Sequence, residues 1–171
     1  MNEQLYKYRE LFIMSKEAYV QEVERIRRLE DKSAKFGSFC GLLLTILGFA
    51  GGRLIIPFVP PNNIFGWICL SSYFFFMIFM AYAFFNLIRV LRISNIHTNP
   101  MNQETIAFFD KNSHIDILYA LARNYIKAIE LNNKEYSKKL KNLKKSYSAM
   151  NISMTLILIF ILSFFVSKFL C

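Results

Sequence analysis

Residues 132–166 read NNKEYSKKLKNLKKSYSAMNISMTLILIFILSFFV. The first part of this stretch is strongly basic, and the second part is apolar. Six of the first sixteen residues are lysine, whereas residues 149–166 carry no charge. Proline and glycine are absent from this stretch. A helix rises about 1.5 Å per residue, so about twenty apolar residues cross a hydrocarbon layer of about 30 Å. The stretch therefore predicts one long helix that is basic in its first half and membrane-spanning in its second.

The rest of the composition extends this prediction to the whole chain. The 171 residues have a net charge of +9, yet 54% of them are hydrophobic. The apolar residues concentrate in three blocks, 36–59, 64–91 and 149–170, instead of scattering through one core. We expect an all-α integral membrane protein with three transmembrane helices and a helical cytoplasmic region, whose C-terminal helix continues into the third span.

The distribution of basic residues predicts the domain organisation and the orientation. Residues 1–36 contain eight Lys/Arg and residues 89–147 contain eleven, whereas Arg53 alone lies between the first two spans. The positive-inside rule then puts the N-terminus in the cytoplasm and Cys171 outside. The expected segments are a cytoplasmic amphipathic helix (1–36), a transmembrane hairpin (37–92), cytoplasmic basic helices (93–147) and a third transmembrane helix (148–171).

Helix-start signals appear twice in the cytoplasmic part. Asn99 and Pro100 fit the N-cap and the first position of a short helix. Ser113 and Asp116 match a capping box, which predicts that the last helix begins there.

Catalytic chemistry has no recognisable signal. The two histidines, His97 and His114, lie in separate segments and have no metal-ligand spacing. The three apolar blocks contain no Asp or Glu, although proton relays and coupled ion transport normally need ionisable groups within the membrane. We therefore expect neither an enzyme nor a transporter, and no metal or other cofactor.

Five lysines step along the last helix by seven, four, three and four residues, and we call them the basic stripe: Lys127, Lys134, Lys138, Lys141 and Lys145. Lys139 and Lys144 lie on other faces. Attraction to lipid headgroups fades within a Debye length of about 8–10 Å. Lys127 and Lys134 would lie roughly 20–30 Å from the membrane by helix rise. The stripe is either a solvated basic face that marks topology or a binding site for an anionic ligand.

Two further patterns predict helix packing. Small residues recur in the first span at Gly37, Gly41, Thr45, Gly48 and Gly52. This line either packs closely against a helix of the same chain, packs against another copy, or lines a pore. A seam on the last helix has one polar member of the kind that fixes register; its members include Tyr125, Ile129, Asn132 and Tyr136. Together these residues predict a homo-oligomer.

Few polar side chains are available to line a pore in the first or third span, namely Thr45, Ser153, Thr155 and Ser163.

The chain combines a charged N-terminal helix, two spans and a cytoplasmic helix that reads ILYALARNYIKAIELNNKEYSKKLKNLKKSYSAM. This arrangement resembles the SLATT-type membrane effectors of bacterial nucleotide-signalling antiphage systems. It is similar, too, to the channel subunit of the Hailong defence system. The likeness in detail concerns the spacing of Tyr125, Ala128, Asn132 and Asn133. The resemblance implies the bacterial inner membrane, a nucleotidyltransferase in the same system, and a nucleotide or single-stranded oligonucleotide as the signal.

Two functions remain open at this point. The first is an oligomeric channel or pore-forming effector, gated by an anionic nucleotide or oligonucleotide on the cytoplasmic basic helices. The second is a membrane anchor or scaffold that recruits a cytoplasmic partner protein.

Overall fold

The computed structural model describes residues 3–56, 59, 61, 63–92, 96–98 and 103–169. They form four α-helices: α1 Glu3–Ile55, α2 Ile64–Leu91, α3 Gln103–Lys111 and α4 His114–Phe169. This described part of the chain contains no strand, which confirms the all-α class. Helices α1, α2 and α4 are each long and apolar enough to cross a membrane.

Helices α1 and α4 are both continuous from a charged half into an apolar half. α4 has 56 residues, as predicted from the absence of proline and glycine between the basic and apolar sequence. α1 has 53 residues and joins the predicted N-terminal helix to the first apolar block without a break.

Side chains and backbone groups cap the helix ends. The Ser113 hydroxyl accepts from the Asp116 N–H, which confirms the predicted N-cap, and it also donates to the Asp116 carboxylate at 2.6 Å. Asn63 caps α2, because its side-chain oxygen accepts from the Gly66 N–H at 2.7 Å. The predicted signal at Asn99 and Pro100 lies outside the described residues.

The chain divides into two compact units, one of which takes in Met1–Leu29 and Ile93–Lys138. Ile26 and Ala122 are buried in this first unit. Aromatic side chains pack between α1 and α4, and the rings of Tyr8 and Tyr119 meet edge to face with centroids 5.8 Å apart. The apolar face of the N-terminal part of α1 thus packs against α4 in this unit.

The second unit takes in Glu30–Arg92 and Lys139–Cys171 and contains the three apolar segments. Many of its buried side chains are small: Ser33, Cys40, Cys69, Ser72, Ala83, Ser146, Ala149 and Ser153. Small side chains let helix backbones approach closely where burial from water contributes little, as in a bilayer. Larger residues such as Phe76 and Met80 fill the remaining space.

Candidate functional site

The five lysines of the basic stripe all have exposed side chains on α4. Lys138 forms an ion pair with Glu135, three residues away, at 2.7 Å. The other four form no ion pair with any described residue. An ammonium group that forms no ion pair is free to contact an incoming anion, although Glu130 lies one helical turn from both Lys127 and Lys134. The exposure of the basic stripe is therefore compatible with both interpretations of it, a solvated face and a ligand site.

Lys139, which its spacing put on another face of α4, is only 5% exposed. Its ammonium group donates to the Glu30 carboxylate and to the backbone oxygens of Val90, at 2.8 Å, and Arg92, at 3.1 Å. These three acceptors use all three donors of the ammonium group. Because Val90 and Arg92 mark the C-terminal end of α2, Lys139 satisfies helix-end carbonyls and is not available to a ligand.

A cavity of about 650 Å³ lies along α4 beside the first residue of the basic stripe. Its described lining consists of Tyr119, Ala120, Arg123, Asn124, Ile126, Lys127 and Glu130. The volume falls in the range of small-molecule sites, about 300–1,000 Å³. The lining combines the two cationic groups of Arg123 and Lys127 with one carboxylate, Glu130, so its net charge is positive. Together with an amide and an aromatic ring, this lining suits an anionic ligand that carries a planar group.

Sequence reasoning missed Tyr119, Arg123 and Asn124 at this cavity, although one signal was available. Arg123 stands four residues before Lys127, so it continues the basic stripe by one helical step. Neither Arg123 nor Lys127 forms an ion pair within the described part of the chain. The residues brought together at the cavity are thus Arg123 and Lys127, whereas the other four lysines of the basic stripe lie outside its described lining.

The seam residues have partners within the chain. The ring of Tyr125 packs against Tyr19 and Phe12, with centroids 5.3 and 6.0 Å away. The Arg25 guanidinium lies 3.9 Å from the centroid of the Tyr136 ring. Ile129 is half-buried.

Asn132, the polar member of the seam, is completely buried and binds the backbone of His97. Its side-chain oxygen accepts from the His97 N–H at 3.0 Å, and its amide nitrogen donates to the His97 carbonyl at 3.4 Å. The Tyr19 hydroxyl donates to the same carbonyl at 3.1 Å. Asn132 therefore holds the backbone of His97 in place, so its register function operates within one chain in this structure.

Two ionisable groups around the seam, Tyr19 and Arg25, have pKa values above their ordinary values. Burial raises the pKa of the Tyr19 hydroxyl, and the neighbouring Tyr125 raises it further. The neighbouring Tyr136 is the main cause that raises the pKa of Arg25, and the ion pair with Glu22 raises it further. Both groups therefore keep their neutral-pH charge states, Tyr19 neutral and Arg25 positive.

Three residues of the predicted glycine line of α1, Gly37, Gly41 and Gly48, face α2 of the same chain, whereas Thr45 and Gly52 are exposed. A Cβ atom placed at Gly37, Gly41 or Gly48 would meet side chains of α2, at 4.0 Å from Leu87, 3.5 Å from Phe84 and 3.4 Å from Met77. These contacts agree with the within-chain alternative. A contact between copies would have to use surfaces other than these glycines and the buried part of the seam.

The four predicted pore-lining residues do not share one surface in a single chain. Thr45 and Thr155 are exposed, and their hydroxyls donate to the helix carbonyls of Gly41 and Asn151. Ser153 and Ser163 are buried, and theirs donate to Met150 and Phe160. Each hydroxyl is therefore bound to its own helix.

Metal chemistry has no site in the described part of the chain, where no group of three or more His, Cys, Asp and Glu side chains could hold an ion. Comparison of the chain with models of known protein families, with curated proteins and with solved structures finds no match.

Proposed function

We propose that this chain is an oligomeric membrane channel or pore-forming effector, gated by an anionic nucleotide or oligonucleotide that binds the basic stripe of α4. The carrying observation is the cavity at Arg123 and Lys127, which offers a concave place for the ligand beside the exposed stripe. The stripe lysines differ from the buried and fully bonded Lys139, because they are exposed and four of them lack an acidic partner. This contrast excludes a packing role for the stripe, whereas a solvated basic face would be exposed in the same way.

The membrane part of the proposal rests on three apolar helices without acidic residues in their apolar blocks. The asymmetry of Lys and Arg supports a cytoplasmic N-terminus and an external C-terminus. In a bacterium this corresponds to the inner membrane. Exposed apolar side chains on all three helices, such as Leu42, Phe75 and Leu162, suit contact with lipid.

The pore is assigned to α1 and α4 of several copies around one axis. In the most apolar 18-residue window of α1 only 11% of the residues are buried, against 33% in α2 and 28% in α4. α1 thus has the largest share of surface free for a second copy, and Thr45 is exposed on it. A mostly apolar lining would close by expelling water.

The biological setting of the proposal comes from the resemblance to antiphage effectors. A nucleotidyltransferase in the same system would produce the signal, and the membrane subunit would respond to it. The basic stripe is compatible with such a signal, because Lys side chains bind phosphate as compact point charges.

Ion flux tests the proposed function. The purified protein is reconstituted into liposomes, and efflux of a trapped fluorescent ion is measured with nucleoside triphosphates or short single-stranded oligonucleotides added. We expect efflux that changes on addition of one of these anions, and mass photometry in mild detergent that shows more than one copy. No efflux under any condition, or a monomer only, would contradict the channel.

A second candidate function, a membrane anchor for a cytoplasmic partner protein, is favoured by α3. The side chains of Ile106, Phe108 and Phe109 are exposed on this nine-residue helix. An anchor would give no efflux, and replacement of Ile106 and Phe109 by serine would remove a co-purifying protein. A channel would keep its efflux in that variant.

A further inference from the structure

An apolar groove of about 460 Å³ lies where α1 ends and α2 begins. Its described lining consists of Gly52, Ile55, Trp67, Leu70, Ser71, Tyr73, Phe74 and Phe75. The two hydroxyls in this set are both directed to backbone carbonyls, Ser71 to Trp67 and Tyr73 to Leu47. The groove therefore presents hydrocarbon and aromatic surface without a free hydroxyl.

Gly52 leaves the groove open on the side of α1. No described atom lies within 4 Å of a Cβ placed at Gly52, whereas a Cβ at the preceding Gly51 would overlap the ring of Tyr73. The two adjacent glycines thus have opposite surroundings. Gly51 accommodates a side chain of the same chain, and Gly52 leaves a notch that nothing in the described structure fills.

The shape of the groove suits a thin flexible occupant better than a helix of a second copy. Close approach of two helix backbones needs small residues on both surfaces. Here the side chains beside the notch are large and exposed, with Trp67 at 60%, Phe74 at 61% and Phe75 at 50% of their full exposure. An acyl chain can pass between aromatic rings, whereas a helix would be held away from Gly52.

Arg53 follows Gly52 on α1 and lies outside the described lining, so it supplies positive charge next to the notch along the helix. It is exposed, and its guanidinium lies 5.5 Å from the centroid of the Phe49 ring. It forms no ion pair with the described residues. A guanidinium presents a planar fork of donors that matches a phosphate. Its position near the end of α1 corresponds to the headgroup level if α1 spans a bilayer.

We propose that the groove binds one anionic phospholipid, with an acyl chain in the notch at Gly52 and the phosphate at Arg53. The inference rests on the membrane part of the proposed function and is independent of the channel. Phosphatidylglycerol would therefore be retained more strongly than phosphatidylcholine with the same acyl chains. Attraction of about 1 kcal/mol per basic residue near anionic lipid corresponds to a preference of about fivefold.

The single tryptophan of the chain makes the groove directly observable, because Trp67 lines it. The protein is reconstituted in phosphatidylcholine bilayers that contain a small fraction of lipid brominated on its acyl chains, either phosphatidylglycerol or phosphatidylcholine. Bromine quenches tryptophan fluorescence only at contact distance. We expect brominated phosphatidylglycerol to quench Trp67 well beyond its mole fraction, and brominated phosphatidylcholine to quench it in proportion.

Three variants separate the parts of the site. Arg53→Gln should remove the excess quenching by phosphatidylglycerol, and Gly52→Leu should lower it by filling the notch. Ala50→Leu adds the same side chain at an exposed position of α1 outside the described lining and should match the parent. Equal quenching by the two lipids, or excess quenching that survives Gly52→Leu, would overturn the lipid site. The absence of any quenching would instead contradict membrane insertion.

Discussion

The ring of Tyr73 occupies the volume that a side chain at Gly51 would need. The Tyr73 hydroxyl reaches past this glycine and donates to the Leu47 carbonyl at 3.0 Å and the Gly48 carbonyl at 3.3 Å. The same ring packs against Phe160, with centroids 5.4 Å apart. One residue of α2 therefore contacts both α1 and α4, and it can do so because α1 has no side chain at residue 51.

Substitution at Gly51 should destabilise the second unit. We expect Gly51→Ala to lower the free energy of unfolding by about 1–3 kcal/mol, because the new methyl group displaces the Tyr73 ring. Gly52→Ala is the matched control, since no described atom lies within 4 Å of its Cβ, and its change should stay within about 0.5 kcal/mol. Thermal unfolding in detergent would measure both, and equal effects of the two variants would contradict the packing at Tyr73.

Lys139 should contribute to stability where the exposed lysines do not. Lys139→Met removes a buried charge and leaves the Val90 and Arg92 carbonyls without their donor, so we expect a loss of about 2–3 kcal/mol. Glu30→Gln should cost less, because an amide oxygen can still accept from the ammonium group. Lys141→Met serves as the exposed control on the same helix. A Tm for Lys139→Met equal to that of Lys141→Met would rule out the buried clamp.

Asn132 should protect the backbone of His97 from exchange with solvent. Asn132→Leu removes the acceptor of the His97 N–H, and the loss of the two hydrogen bonds should cost about 1–3 kcal/mol. Hydrogen exchange at the His97 amide should become faster. Asn133→Leu changes the exposed neighbour in the same way and should leave that amide unchanged. Unaltered exchange in Asn132→Leu would show that the amide is protected by something else.

Arg123 should contribute to anion binding if the cavity is part of the ligand site. We expect Arg123→Gln to weaken binding of a labelled single-stranded oligonucleotide by about ten- to a hundredfold, because a charge-assisted hydrogen bond contributes about 1.5–3 kcal/mol. Lys144→Gln removes one exposed charge from another face of α4 and should have a much smaller effect. Equal effects would indicate that only net charge matters and that the cavity is not used.

Local signals in the sequence predicted the helices and several of their ends. The N-cap at Ser113, the continuity of α4 and the separate face of Lys139 all depend on neighbours within a few residues, which spacing reports directly. The three apolar segments are equally visible, because a helix that crosses a membrane needs a fixed length of apolar sequence. These features make up most of the fold.

The partners of each face could not be predicted, because they depend on residues that are distant in sequence. The seam could be recognised from its helical spacing. The residues near it in sequence do not predict that Tyr125 packs against Tyr19 or that Asn132 binds the backbone of His97. The surroundings of the two adjacent glycines were equally unpredictable. Their spacing assigned Gly52 to close helix packing and left out Gly51, whereas Tyr73 packs at Gly51. Only the position of Tyr73 on α2 distinguishes the two.

The central claim, that the basic stripe binds an anionic ligand, predicts a dependence on both charge position and salt. A variant with Lys134, Lys138 and Lys141 replaced by glutamine should insert and assemble normally, because Arg89, Arg92, Lys144 and Lys145 still mark the cytoplasmic side. The control removes three lysines from α1 instead, by the exposed substitutions Lys7→Gln, Lys16→Gln and Lys35→Gln. The two variants have the same net charge, so only the position of the lost charges differs.

The most direct measurement is a titration of parent and both variants with a fluorescent short single-stranded oligonucleotide at two salt concentrations. Each neutralised phosphate contributes about −0.7 to the slope of log K against log salt for a single strand. We expect the parent to bind with a steep slope, the α1 control to resemble it, and the stripe variant to lose binding or to show a slope smaller by about 2. Equal affinity and slope in the parent and the stripe variant would contradict the account.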